Sequence, residues 1–175
     1  MIVKRSFLAV LLTLGVTVAQ AHDAGMPRDS SLLAIYQAGL AAYQKQDYAA
    51  ALKEWQPIAE SGSSAAQLFL GFIYANGQGV AQDTAAAANW YRRAAEQDNM
   101  LAQLRLSMLY SQGHGVRQDR VQAFLWASLA ARDRKHLGNV AAVLGEALEK
   151  DMTPAQISQA EQLERDWLAK HKKGD

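Results

Sequence analysis

Two similar loops come nearest to a ligand-binding motif, YANGQGVAQD at residues 74–83 and YSQGHGVRQD at residues 110–119. A glycine-rich loop that holds a phosphate follows a strand, and it continues to a third glycine or to a Lys-Ser or Lys-Thr pair. Here the Gly-x-Gly spacing leads to Gln82 or Gln118, and each loop follows a stretch with helical apolar spacing. We therefore interpret both loops as structural turns and expect no phosphate or cofactor site.

The histidines give no metal-ligand pattern. The chain has four histidines and no cysteine, and it contains neither H-x3-H nor H-E-x-x-H. His22 could hold copper together with a free N-terminal amine, but that site needs a nearby second histidine, and His114, His136 and His171 are distant in sequence. We expect no metal site. His114 is either a partner contact or a solvated loop residue.

Residues typical of an enzyme active site do not form a pattern either. The sequence contains neither G-x-S-x-G nor S-x-x-K, so no nucleophile is indicated. We expect no catalytic residue and no enzymatic activity. The carboxylates that could act as acids or bases are spread over predicted helices, where we expect solvated faces: Glu54, Glu60, Glu96, Glu146 and Glu149.

The first 21 residues have the features of a secretory signal peptide. Lys4 and Arg5 precede an uncharged apolar run at residues 7–18, and the Ala-Gln-Ala at 19–21 supplies the small-x-small cleavage pattern. The run is shorter than the roughly 20 residues that span a bilayer, which favours a cleaved signal over a retained anchor helix. We expect a mature chain that starts at His22, is periplasmic or secreted, and has no stable membrane insertion.

Charge and composition narrow the class of protein. The signal peptide contains two of the 18 basic residues and no acid, so the rest of the chain has 16 basic and 17 acidic residues. A nearly neutral chain has no electrostatic reason to bind nucleic acid. The absence of cysteine excludes disulfides and thiolate metal sites. With three prolines and helix formers throughout, the composition predicts an all-α fold.

The loops belong to a longer repeat. Residues 65–100 and 101–136 align without a gap at a spacing of 36, and 14 of the 36 aligned positions are identical. A fixed period of this length is typical of a solenoid of stacked helix pairs. The identical pairs include Gln67/Gln103, Leu70/Leu106, Tyr74/Tyr110, Val80/Val116, Ala87/Ala123, Trp90/Trp126 and Ala94/Ala130.

A diverged copy precedes these two. Asp47 lies 36 residues before Asp83. Tyr43, however, lies only 31 residues before Tyr74, so the first unit has a shorter loop, which lacks both glycines. We divide the chain into a signal peptide at 1–21, a linker at 22–30, a short tetratricopeptide-like repeat at 31–64, regular repeats at 65–100 and 101–136, capping helices at 137–169 and a basic tail at 170–175.

The repeated loop residues are expected to end one helix and begin the next. Gly77 and Gly79 can adopt backbone angles that are closed to other residues, so the chain can reverse. The carboxylate of Asp83 can accept the free N–H groups of the following first turn. The equivalent residues of the next copy are Gly113, Gly115 and Asp119.

The shared frame A-x3-L-x3-Y-x2-G-x-G-V-x2-D-x3-A-x6-AA resembles Sel-one-like repeats, which are longer-loop relatives of tetratricopeptide repeats. The third copy departs from the family pattern at Ser107, where glycine is usual. The resemblance implies a right-handed α–α superhelix of about four helix pairs, closed by a C-terminal capping helical hairpin. The matching residues of the middle copy are Ala66, Leu70, Gly71, Tyr74, Gly77, Gly79, Val80, Asp83, Ala87, Ala94 and Ala95.

The C-terminal hairpin is indicated by two patterns. Thr153, Pro154 and Gln156 form a capping-box sequence that starts a final helix. The helix before this capping box is predicted to bury one apolar stripe, made of Leu137, Val140, Ala141, Leu144 and Leu148.

The dense charges at residues 132–136 either meet an acidic partner or form a solvated turn.

The family resemblance also implies a class of function. Sel-one-like repeats mostly present surfaces to protein partners, so we expect a monomeric scaffold or adaptor of the cell envelope that binds a protein on its concave side. One alternative is an immunity-type binder that neutralises a secreted toxin. Another is β-lactam binding or hydrolysis, but the family branch linked to β-lactams is rich in cysteine and this chain has none.

The first helix of the middle copy has more apolar residues than one packing stripe uses. Positions that stay fixed between copies are expected to form the frame, and positions that change are expected to face the groove. Alternatively, Phe69 and Phe72 pack under the neighbouring short unit. The predicted binding strip consists of Phe69, Phe72, Asn76, Arg105, Met108 and Gln112.

We predict cleavage between Ala21 and His22, because the small-x-small pattern ends there. The intact mass of the protein recovered from the exporting cell should correspond to a chain that begins at His22. Recovery of a mature species that retains Met1 would contradict this prediction.

Overall fold

Eight α-helices make up the described part of the chain. The computed structural model describes residues 30–132 and 138–171. Each helix packs against the next as far as α7, and α8 packs against α6. The helices are α1 (Ser30–Gln44), α2 (Tyr48–Glu60), α3 (Ser64–Asn76), α4 (Thr84–Ala95), α5 (Met100–Gln112), α6 (Arg120–Ala131), α7 (Gly138–Glu149) and α8 (Pro154–His171).

The second helix of each of the first three pairs begins at an aspartate N-cap. A carboxylate oxygen of Asp83 accepts the backbone N–H of Ala86 at 2.8 Å, and Asp119 accepts that of Gln122 at 3.0 Å. Asp47 does the same for Ala50 in the diverged first unit. These carboxylates satisfy N–H groups that lack a partner inside the helix, which fixes where α2, α4 and α6 start.

The glycine loops have two separate geometric functions. Gly77 ends α3 in the left-handed region at φ 61°, and Gly113 ends α5 at φ 72°. Gly79 instead allows close approach, because a Cβ added there would lie 2.8 Å from Cβ of Tyr48 at the start of α2. An added Cβ on Gly115 would collide with the backbone of Thr84 at the start of α4. The loop is therefore repeated because each copy ends a helix and also seats against the preceding unit.

Two buried glutamines join successive units. Nε2 of Gln67 in α3 donates to the carbonyl oxygen of Ala59 near the end of α2, at 2.9 Å. Nε2 of Gln103 in α5 donates in the same way to Ala95 at the end of α4, at 3.2 Å. Each bond gives a buried carbonyl group at a helix end a second donor, beside the backbone N–H of Gly62 or Asp98, in a place that water does not reach.

Aromatic residues of the second helices rest on glycines of the first helices. A Cβ on Gly39 would collide with the indole of Trp55, and a Cβ on Gly71 would collide with the ring of Tyr91. In the third copy the position of Gly71 is occupied by Ser107. That serine fits because the position equivalent to Tyr91 is Ala127, and its hydroxyl donates to the carbonyl oxygen of Ala123 at 2.6 Å.

The predicted stripe of α7 is wrong at one position. Val140 is 54% exposed instead of inward-facing, and Val143 is 65% exposed. The buried residues of α7 are the small ones, Gly138, Ala141 and Gly145, and Ala141 packs in a cluster with Leu104 and Ala130. Leu137 lies outside the described residues.

The final helix is positioned by α6. Glu164 accepts a hydrogen bond from the Ser128 hydroxyl at 3.0 Å and pairs with Arg132 at 3.8 Å. The predicted capping box is present, since Thr153 N donates to Gln156 Oε1 at 2.9 Å and Gln156 N donates to Thr153 Oγ1 at 3.3 Å. The signal peptide, most of the linker, the charged segment after Arg132 and the end of the basic tail lie outside the described residues.

We predict that Gly71→Ser destabilises the wild-type chain but not a chain that already carries Tyr91→Ala. In the wild type the added side chain meets the Tyr91 ring, and such overpacking costs about 1 to 3 kcal/mol of the free energy of unfolding. Urea unfolding of the two single variants and the double variant measures the coupling. An equal cost of Gly71→Ser in both backgrounds would show that the ring does not impose the glycine.

Candidate protein-binding face

The first helices of the repeats carry almost no charge. Arg105 is the one charged residue in α1, α3 and α5, whereas α2, α4 and α6 all contain charged residues. The first helices are also rich in apolar residues that are not fully buried. A face with few charges, amides and exposed apolar groups is typical of the central part of a protein–protein interface.

Arg105 and Phe72 bring α5 and α3 together on this face. The guanidinium carbon of Arg105 lies 5.0 Å from the centre of the Phe72 ring, a cation–π distance. Phe72 is half-buried, and its ring also meets Tyr91 edge-on at 5.7 Å between centroids. Arg105 Nε is buried and has no hydrogen-bond partner. The contact between Arg105 and Phe72 therefore joins α5 to α3 on this face.

Three other predicted residues lie on the same two helices as this pair. Met108 is 36% exposed, and Gln112 is exposed at the end of α5. Asn76 is exposed at the end of α3, where its side-chain amide donates to the Phe72 carbonyl oxygen at 2.7 Å. We call Phe72, Asn76, Arg105, Met108 and Gln112 the binding strip.

Phe69 does not belong to this strip, so its assignment to an exposed contact is wrong. It is 7% exposed and stacks on Trp55, with ring centroids 4.5 Å apart. Its ring also meets Tyr36 and Tyr43 edge-on. The alternative of packing under the first unit holds for Phe69, because α1 and α2 supply the aromatic residues that cover it.

Leu101 also belongs to the face, although the predicted strip does not include it. It is half-buried and lies four residues before Arg105, seven before Met108 and eleven before Gln112, which are helical spacings. These four residues form one stripe along the full length of α5. The spacing alone could have identified Leu101, since it continues the same i, i+4, i+7 series.

The remaining chemically active side chains do not converge. Among the described residues, no group of three or more His, Asp or Glu could hold a metal ion. His114 is exposed in its loop, and the His171 ring stacks on Trp167 with centroids 3.9 Å apart. His22 and His136 lie outside the described residues. The copper alternative at His22 is therefore not tested by the described residues.

One shallow cleft lies apart from the strip. It has a volume of about 390 Å³ and is lined by Glu146, Glu149, Lys150 and Ile157. The charged residues of this cleft are exposed. Two other carboxylates that could act as acids or bases, Glu54 and Glu60, lie on α2.

None of the helices in the described part is both long and apolar enough to cross a membrane.

Comparison with known proteins identifies the repeat. A family model described as Sel1 repeat matches residues 64–99 and 101–133. The chain contains Sel1 repeats. The predicted all-α superhelical solenoid is confirmed, since similar solved structures have the Sel1-like repeat fold.

Two solved Sel1-like structures are similar to the chain. One is c5321, a protective antigen present in uropathogenic Escherichia coli strains, at 31% identity and a TM-score of 0.73, covering 82% of this chain and 31% of that one. The other is a Sel1 repeat protein from Oxalobacter formigenes, at 28% identity and a TM-score of 0.60, covering 65% of this chain and 45% of that one. The chain thus spans less than half the length of either. None of the curated proteins matches it.

Membership in this repeat class supports a general type of activity. Sel1-repeat proteins generally mediate protein–protein interactions, and the fold is typically a non-catalytic interaction scaffold.

We predict a large effect on stability of truncating Phe69 and a small effect of truncating Met108. Phe69→Ala should lower the free energy of unfolding by about 3 to 5 kcal/mol, because it empties a site inside an aromatic cluster. Met108→Ala should change it by less than about 1 kcal/mol, because the side chain is partly exposed. Both are measured by urea unfolding. Similar effects of the two substitutions would contradict the division between core and strip.

Proposed function

We propose that the chain is an exported adaptor that binds a protein partner on the concave side formed by its first helices. The observation that carries the proposal is the binding strip, where half-buried Phe72 and partly exposed Met108 lie beside Arg105. Apolar groups that remain accessible in a stable fold are available to a partner, and an aromatic residue next to an arginine is typical of strong contact sites.

Export is supported by the signal-peptide pattern of residues 1–21. A disulfide-free solenoid is compatible with an envelope location, because its stability comes from repeat stacking and not from cross-links. A scaffold role in the cell envelope follows from combining export with a non-catalytic interaction fold.

Photo-crosslinking tests the proposed face. A photoreactive phenylalanine analogue is introduced at Met108 or Gln112 on the strip, and at Gln56 or Gln159 on α2 and α8 as exposed controls. The variants are expressed in the cell of origin and irradiated. We expect the two strip positions to capture the same defined protein, while the control positions do not capture it.

The crosslinking result has a clear contrary outcome. Capture of the same protein with equal yield from Gln56 or Gln159 would place the partner on another surface. The melting temperature of each variant is also measured. A wild-type value shows that a lost crosslink reports on binding and not on unfolding.

A further inference from the structure

Arg105 is the one charged residue among the first helices α1, α3 and α5. Neither α3 nor α5 contains an acidic residue, and α1 contains no charged residue. Within the described residues, Arg105 makes no ion pair or hydrogen bond, in contrast to Arg132 and Arg165, which each pair with a glutamate. A guanidinium in a partly desolvated position without a counter-charge is arranged for an anion that comes from outside the chain.

The guanidinium of Arg105 lies against an aromatic ring of α3. Its carbon lies 5.0 Å from the centre of the Phe72 ring, and its Nε is buried. The cation–π contact with the ring restrains the guanidinium, so less conformational freedom is lost when it meets a ligand. A planar guanidinium matches a carboxylate, which can accept two parallel N–H bonds from it.

The neighbours of Arg105 indicate what should surround that carboxylate. Leu101 lies one turn before it on α5, and Met108 lies one turn after it. Both are apolar and only partly covered. A partner segment that runs along α5 thus contacts an apolar residue, then Arg105, then a second apolar residue. This order fits an acidic side chain inside the segment better than a carboxylate at the end of a chain.

We propose that the binding strip recognises an Asp or Glu side chain flanked by apolar residues within a segment of the partner protein, with Arg105 as its counter-charge. The inference rests on the proposed function and deepens it by assigning the chemistry of the partner. The exposed amides of Asn76 and Gln112 lie at the ends of α3 and α5, where they can bond to the backbone of the same segment.

A peptide-display selection tests this assignment and does not require the partner to be identified first. The purified chain selects from a random library whose peptides are fused at their C-termini, so that carboxylates come from side chains alone. The wild type is compared with Arg105→Gln and Arg105→Glu. Arg120→Gln is the matched control, since Arg120 is an exposed arginine at the start of α6.

The expected result is a specific change in the selected sequences. The wild type and Arg120→Gln should enrich peptides with an acid between apolar residues. Arg105→Gln should lose the acid preference, and Arg105→Glu should replace it with Lys or Arg. In a selected peptide, replacing the acid by its amide should weaken binding about tenfold for the wild type and less than about twofold for Arg105→Gln.

The contrary outcomes separate this inference from the proposed function. Peptides that lose binding in Met108→Glu but show no acid preference would overturn the assignment of Arg105 and leave the strip as the binding face. Peptides that bind Met108→Glu as well as the wild type would overturn the proposed face itself. A second library has free C-termini. A preference for carboxylates that appears in this library and not in the fused one would assign the carboxylate to a chain end and overturn the inference.

Discussion

The stacking of the units depends on one buried hydrogen bond that is made twice. Gln67 donates to the Ala59 carbonyl oxygen and Gln103 donates to that of Ala95, each across the junction between successive units. The acceptor lies near the end of the preceding helix, where a carbonyl lacks its usual partner. A buried polar group is costly unless paired, so the bond specifies one rotation of each unit on the last. The positions of α3 and α5, and hence of the binding strip, follow from that rotation.

Close packing completes the same junctions. Ala59 and Ala95, which accept the glutamine bonds, are fully buried. Gly79 and Gly115 seat their loops against the preceding unit, where any side chain would collide. Large side chains lie at the same junctions, since Trp55 of α2 stacks on Phe69 of α3 and Phe72 packs against the core clusters on both sides of it. Small and large residues together therefore define how successive units fit.

Much of this arrangement could be predicted from the sequence, because the repeat makes local signals visible twice. The N-cap of Asp83 and the left-handed turn at Gly77 follow from residue type and spacing. The burial of Phe69 could not be predicted in this way, because it depends on Trp55 and Tyr36 in a unit with a different loop length. The exposure of Val140 could not be predicted, because apolar periodicity assigns a valine to the core before a glycine. In the structure the buried residues of α7 include Gly138 and Gly145. The link between Arg105 and Phe72 spans two helices and has no counterpart in the next repeat.

Methionine methyl NMR tests the central claim that the strip is the partner-binding face. Met108 is partly exposed on α5, and Met152 is buried in a separate cluster against Ala160 of α8, so the two report on different parts of one molecule. The chain is labelled at its methionine methyl groups, assigned with Met108→Leu, and titrated with the captured partner. The account predicts that the Met108 signal shifts or broadens while the Met152 signal stays unchanged. A response at Met152 with an unchanged Met108 signal would contradict it.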